Sequence, residues 1–154
     1  MTMVMDYCNL NDQTVKNNYP LLLIMDLIDN MGGKRVFTKM DLQWGFNNVR
    51  IKKGDEWKGA FMTYVGSFEL TVMFFGMMNS PATFQAIMNE ILRDIISEGK
   101  VVAFVDDVLV EAEIKEGHDK IVEEVLKRLE EMTCISSQKN VCGKYEKLDF
   151  WELL

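Results

Sequence analysis

The sequence predicts an α+β domain: a small antiparallel sheet backed by helices. Three observations carry that expectation. The apolar stretch Val101–Ala112 is broken only by Asp106-Asp107, as a tight hairpin would be. A second strand pattern, Val36-Phe37-Thr38-Lys39-Met40, stops at Asp41. Two amphipathic segments, 81–96 and 118–132, supply helices to cover a sheet.

The elements follow in chain order. Met3–Tyr7 is strand-like, as though the chain begins inside a fold. Pro20–Met31 places Ile24, Leu27, Ile28 and Met31 on one helical face, with Pro20 suited to the first turn and Gly32-Gly33 to the stop. Residues 47–65 read as two strands around a Lys53-Gly54-Asp55-Glu56 turn, and Phe68–Phe75 as a further strand. In the helix from Pro81 to Ile96, Ser80 is the expected cap, and Phe84, Ile87, Met88, Ile91, Leu92 and Ile95 form the inner face. The helix at 118–132 buries Ile121, Val122, Val125, Leu126 and Leu129, and turns Glu123, Glu124, Lys127, Arg128 and Glu130 to solvent.

Composition limits the function classes. The chain has 154 residues, 48% apolar and 27% charged, which suits one domain with a core and excludes disorder and collagen. Cys8, Cys134 and Cys142 are an odd set without a CxxC pair, so neither a zinc ribbon nor a disulfide framework is expected. No apolar run reaches the roughly 18 residues a membrane helix needs, and Met1–Leu10 has no secretory pattern. No membrane partner is expected. With one histidine, His118, a His-based triad is excluded; that residue should sit near a helix start without a chemical task. Gly32-Gly33-Lys34 lacks the spacing of a phosphate loop. The net charge of −7 is unusual for a sequence-independent nucleic-acid binder.

The chemistry concentrates in carboxylates. Asp106 and Asp107 at a hairpin tip repel each other, and the simplest reading is a turn with its acids in water. The sharper reading is a divalent metal site, because Mg²⁺ takes hard oxygen ligands, often one or two carboxylates plus substrate phosphates. Asp41 also ends an apolar strand. Two strand ends side by side could hold two ions about 3.5–4 Å apart, suited to nucleotidyl transfer.

These residues carry a family resemblance. Met5-Asp6-Tyr7-Cys8-Asn9-Leu10-Asn11, then Asn17-Asn18-Tyr19-Pro20-Leu21, resembles the beginning of the reverse transcriptase of Ty3/gypsy-type LTR retrotransposon polyproteins. Phe37–Leu42 with Gly45-Phe46 is similar to its first catalytic motif. The run Phe75-Gly76-Met77-Met78-Asn79-Ser80-Pro81-Ala82-Thr83-Phe84-Gln85 is similar to its template-and-helix motif, and Phe104-Val105-Asp106-Asp107 to its aromatic-x-Asp-Asp signature. The four motifs come in the family's order across nearly the whole chain.

The resemblance implies a polymerase palm with a partial fingers subdomain, residues 1–154 forming one reverse transcriptase fragment without thumb or ribonuclease H. It implies RNA-directed DNA polymerase activity: Mg²⁺ or Mn²⁺ as cofactor, dNTPs as substrate, and an RNA or DNA template with a primer strand as partners. Other polyprotein domains or a second subunit could accompany it, in a cytoplasmic retroelement particle. Asp41, Asp106 and Asp107 match the metal-binding carboxylates. Phe46 falls where an aromatic ring lies beneath the incoming sugar, with Leu42 and Gln43 beside the nucleotide; core packing is its alternative. Gln85, Phe75, Gly76, Asn79 and Pro81 match positions near template and primer, Gln85 being read as an exposed residue of the helix. Lys139 matches a lysine that could protonate the leaving pyrophosphate.

Departures from the family are equally plain. Thr2 and Cys8 stand where it has arginines, Phe74 where it has proline, and Phe150-Trp151-Glu152 where it has Phe-Leu-Gly. Lysine-bearing finger strands ahead of Met1 are not in the sequence. A modest basic cluster remains: Arg50, Lys52, Lys53, Lys58 and the neighbouring Trp57. A catalytically degenerate, domesticated fragment that only binds is the alternative function, and another palm-type nucleotide enzyme is a third.

Overall fold

The structure is a computed structural model, and it describes residues 5–21, 33–42, 44–135 and 144–149. Its centre is a four-stranded antiparallel sheet of β1 (Val36–Asp41), β4 (Val101–Phe104), β5 (Asp107–Ala112) and β6 (Lys144–Asp149), in the order β4-β5-β1-β6. A two-stranded sheet, β2 (Phe61–Thr63) with β3 (Gly66–Phe68), stands apart from it. The helices are α1 (Cys8–Gln13), α2 (Ser80–Ile91), α3 (Arg93–Ser97) and α4 (Lys115–Ile135).

Alternation along the strands decides which side is core. Met40, Val101, Ala103, Val108 and Val110 point to one face and pack with Phe84, Met88 and Leu92 from the α2–α3 side and Val125 and Leu129 from α4. These are the helical apolar positions the sequence marks, and the expected antiparallel sheet backed by helices is found. The opposite face carries Lys39, Asp41 and Asp107, so the strand ends present their acids away from the core. Among the described residues no helix is long and apolar enough to cross a membrane.

Several expectations need correction. Residues 47–65 do not form two strands around the Lys53-Gly54 turn. The turn exists, but local bonds replace the ladder: Asp55 N–H donates to the Lys52 carbonyl, Gly54 N–H donates to the Glu56 carboxylate, and Lys58 pairs with Asp55 at 2.7 Å. Short 3-10 helices occupy Gly45–Asn48 and Glu56–Gly59, and the hairpin forms later, about Tyr64-Val65. Phe68–Phe75 is likewise no strand; only Phe68 and a single Val72–Arg50 bridge are paired. Met5–Tyr7 is not extended into a strand. Asp6 accepts the Cys8 N–H at 2.9 Å, and the chain enters α1 instead.

The helix expected over 81–96 is two helices, broken at Leu92. Arg128 Nη1 reaches across from α4 to the Ile91 carbonyl at 3.2 Å while its Nε holds Glu124 at 2.8 Å. Ser80 does not cap α2. It is the first helical residue, and its hydroxyl donates to the Phe74 carbonyl at 3.2 Å. The helix expected at 118–132 is longer, from Lys115 to Ile135, and His118 is fully buried in it with both ring nitrogens lacking a hydrogen-bond partner. Of the Pro20–Met31 helix, residues 22–31 lie outside the described residues; Pro20 and Leu21 are in no helix.

Candidate catalytic carboxylate site

Asp41 ends β1 directly opposite Asp107, the first residue of β5. Directly opposed residues share a face, so these two acids face the same way. Asp106 occupies the hairpin tip beside them. The Leu42 N–H donates to the Asp106 carbonyl at 2.8 Å, which ties the end of β1 to the turn. The structure therefore brings Asp41 beside Asp106 and Asp107, which lie 65 and 66 residues further along the sequence.

The turn is held under strain. Val105 has φ +51°, a left-handed conformation that its β-branched side chain disfavours. What holds it is Gln85. This side chain is fully buried; its Oε1 accepts the Val105 N–H at 2.7 Å and its Nε2 donates to the Ala103 carbonyl at 2.8 Å. The expectation of an exposed Gln85 touching template is thus corrected: its amide is consumed by the two backbone groups flanking Phe104.

Gly45 provides the space for the Asp106 side chain. A Cβ at Gly45 would lie 2.6 Å from Asp106 Oδ1 and 2.9 Å from the Phe84 ring, so only glycine fits. That same Oδ1 is buried with no hydrogen-bond partner. Burial first, then the charges of Asp41 and Asp107, push the Asp106 carboxyl above its ordinary range. Asp107 is compensated by Lys39 at 3.1 Å, in a half-exposed pair. An orphaned carboxylate oxygen beside two like charges is a set of groups that a cation would compensate, and such hard oxygen donors fit Mg²⁺ or Mn²⁺. Among the described residues no three such side chains form a ready-made metal cage.

The remaining expected residues fall into three groups. Phe46 is 4% exposed and packs edge-on against Phe75, at 4.9 Å between centroids, and Phe84, at 5.3 Å. Its ring packs as core, the alternative the sequence left open, and the half-exposed ring beside it is Phe75. Leu42 is buried beneath the strand end. Gly76 and Pro81 flank the start of α2, but the Asn79 amide is already engaged, donating to the Val15 carbonyl at 2.8 Å and accepting the Asn17 N–H at 2.9 Å. Asn79 therefore staples the N-terminal segment. Gln43, Lys139, Thr2 and Phe150-Trp151-Glu152 lie outside the described residues. In the basic cluster, Trp57 is exposed with Lys58 Nζ 5.8 Å from its ring centroid, and Arg50, Lys52 and Lys53 line the same stretch. Sequence reasoning missed Asn89 and Tyr19, which continue the Gln85 network; the signal was the i, i+4 spacing of two amides on one helix.

An antiparallel sheet with helices on one face, and acids at a hairpin tip and the adjoining strand end on the other, defines the palm of a nucleic-acid polymerase. More narrowly, the chain belongs to the reverse transcriptase family: the family described as reverse transcriptase (RNA-dependent DNA polymerase) matches residues 1–148. The Tf2-3 polyprotein of Schizosaccharomyces pombe transposons is 39% identical over 138 residues, and the Tf2-7 polyprotein 38%, each covering 90% of this chain. The chain spans about a tenth of the length of these relatives. Among solved structures it is similar to the foamy viral protease-reverse transcriptase in complex with an RNA/DNA hybrid, with TM-score 0.75, 28% identity, and coverage of 84% of this chain and 17% of that one. The same protein in a dRH form with double-stranded DNA gives TM-score 0.77 and 28% identity, over 85% of this chain and 23% of that one.

Proposed function

We propose that this chain is the catalytic palm of an RNA-directed DNA polymerase, adding dNTPs to a primer paired with an RNA or DNA template. The single observation that carries this reading is the Asp106 carboxylate oxygen, buried, unpartnered and set among Asp41 and Asp107. A catalytic group left uncompensated in this way is stabilised only when positive charge arrives. Divalent ions bound at Asp41, Asp106 and Asp107 would neutralise the triphosphate and lower the pKa of the primer hydroxyl. The chain's own residues supply position: Gly45 leaves room for the carboxylate, Gln85 fixes the turn, and Leu42 N–H joins the two strand ends. Phe75, backed by Phe46, is the surface offered to the nucleotide sugar, with Gly76 and Pro81 toward the primer and template side. Lys139 remains the proposed proton donor to pyrophosphate, and Gln43 a proposed nucleotide contact. The relatives being polyproteins, the proposed setting is one domain of such a polyprotein, in a cytoplasmic retroelement particle.

Primer extension on an RNA template with Mg²⁺ or Mn²⁺ tests this. Wild-type chain should extend with dNTPs, and Asp106→Asn should lose at least about 10³-fold in rate, the scale of removing a main charge-stabilising group. A folded wild-type chain that never extends would favour the degenerate binding fragment, while extension that survives Asp106→Asn would take Asp106 out of the metal-binding set.

A further inference from the structure

The Gln85 side chain does not end the network that holds the catalytic turn. Val105 offers an N–H and Ala103 a carbonyl, so the Gln85 oxygen must face the first and its nitrogen the second. The second hydrogen of that nitrogen then goes to Asn89 Oδ1 at 2.9 Å. This in turn fixes the Asn89 amide, whose Nδ2 donates to the Tyr19 hydroxyl at 2.9 Å. Four groups are thus chained in one permitted sense, from residue 19 to the turn at 105. Tyr19 belongs to a strap that Asn79 pins at Val15 and Asn17. The strap therefore holds α2 at its start through Asn79 and, ten residues on, through Asn89.

We propose that Tyr19 and Asn89 are positioning residues for Asp106, acting through Gln85 to keep the Val105–Asp106 turn in its strained form. The physical reason is cooperativity. A left-handed Val105 relaxes unless its N–H is held, and Gln85 holds it best when its own amide is fixed from behind. Displacing the strap frees Asn89, then Gln85, and lets the carboxylate drift from the pocket beside Gly45. The segment at residues 15–19 is by this route coupled to the metal-binding acids. What the turn is for rests on the polymerase reading; how it is held does not.

The test uses the full chain and two readouts that need no turnover: amide hydrogen exchange at Val105 and Asp106, and Mn²⁺ affinity. Tyr19→Phe removes only the hydroxyl, and should speed exchange at the turn and weaken Mn²⁺ binding by about fivefold each, the scale of one hydrogen bond. Exchange at Val125 and Leu129 in α4 should not change. Asn89→Asp should keep wild-type protection, because its carboxylate accepts from both Gln85 and the Tyr19 hydroxyl; adding Tyr19→Phe to it should abolish that rescue. A structural role alone would raise exchange in α4 as much as at the turn, and would show no dependence of the rescue on the hydroxyl; either result overturns the proposal. So does a Tyr19→Phe chain whose turn and Mn²⁺ affinity match wild type. Primer extension run in parallel should show kcat falling with KM for dNTP nearly constant. A wild-type chain without extension counts against the polymerase reading, while the exchange data still decide the relay.

Discussion

The four-stranded sheet and the β2–β3 hairpin draw on similar residues and meet opposite fates. In the sheet layer, Phe37, Met40, Phe84, Met88 and Val108 are all but inaccessible to water. In the hairpin, Met62 is 87% exposed, Tyr64 fully exposed and Val65 66% exposed. The sheet has α2 and α4 as a second layer, whereas the hairpin has three residues per strand, all but Phe61 exposed. An apolar pattern builds a core only where another element closes over it, and an isolated two-stranded ribbon does not. Asp41, Asp106 and Asp107 belong to the sheet layer.

Substitutions can break or sharpen this contrast. Phe84→Ala empties a fully buried site under the palm, and should cost about 3–5 kcal/mol in denaturant unfolding. Next in size is Gly45→Ala, whose new methyl group meets Asp106 and Phe84; about 1–3 kcal/mol should be lost together with most Mn²⁺ affinity, read by titration calorimetry. A loss of stability with undiminished metal binding would show that Gly45 serves packing alone.

Asp106→Asn probes the charge held in the same pocket. Because the folded-state pKa is raised, the charged form costs stability at neutral pH, and the cost fades as pH falls through that raised value toward about 4. In metal-free buffer the variant should therefore melt above wild type at pH 7, by about 2 °C once solvent screening is allowed for, with the gap closing near pH 4. A gap that is constant over this range would mean that the charge is not its source. Glu111, buried in β5, follows the same sign: burial raises its carboxyl, partly opposed by Lys34, so Glu111→Gln should also stabilise most at neutral pH. The smallest effect belongs to the hairpin, where Met62→Ser should change stability by no more than about 0.5 kcal/mol. A larger loss would show that the hairpin packs against something.

Strong periodicity made the palm legible. Two buried helix faces and two strand ends could be read from Phe84 to Ile95, Val125 to Leu129, and the stops at Asp41 and Asp106. The region 47–75 misled because its β-branched and aromatic residues match a strand, while Glu56 takes the Gly54 N–H and Asp55 and Lys58 pair with each other across the turn. Gln85 misled for a related reason: polarity suggests exposure, but a buried amide with three partners is as stable as an exposed one.

The sequence by itself determined the class of fold, the three acids and the family, since each rests on residue type and order along the chain. Only the tertiary structure decided that Asp41 faces Asp107, that Gly45 houses the Asp106 carboxylate, that Phe46 is closed over by Phe75, and that Gln85, Asn89 and Tyr19 grip the turn. Those facts depend on contacts between distant segments, where direction and distance choose the partner and no local pattern records the choice.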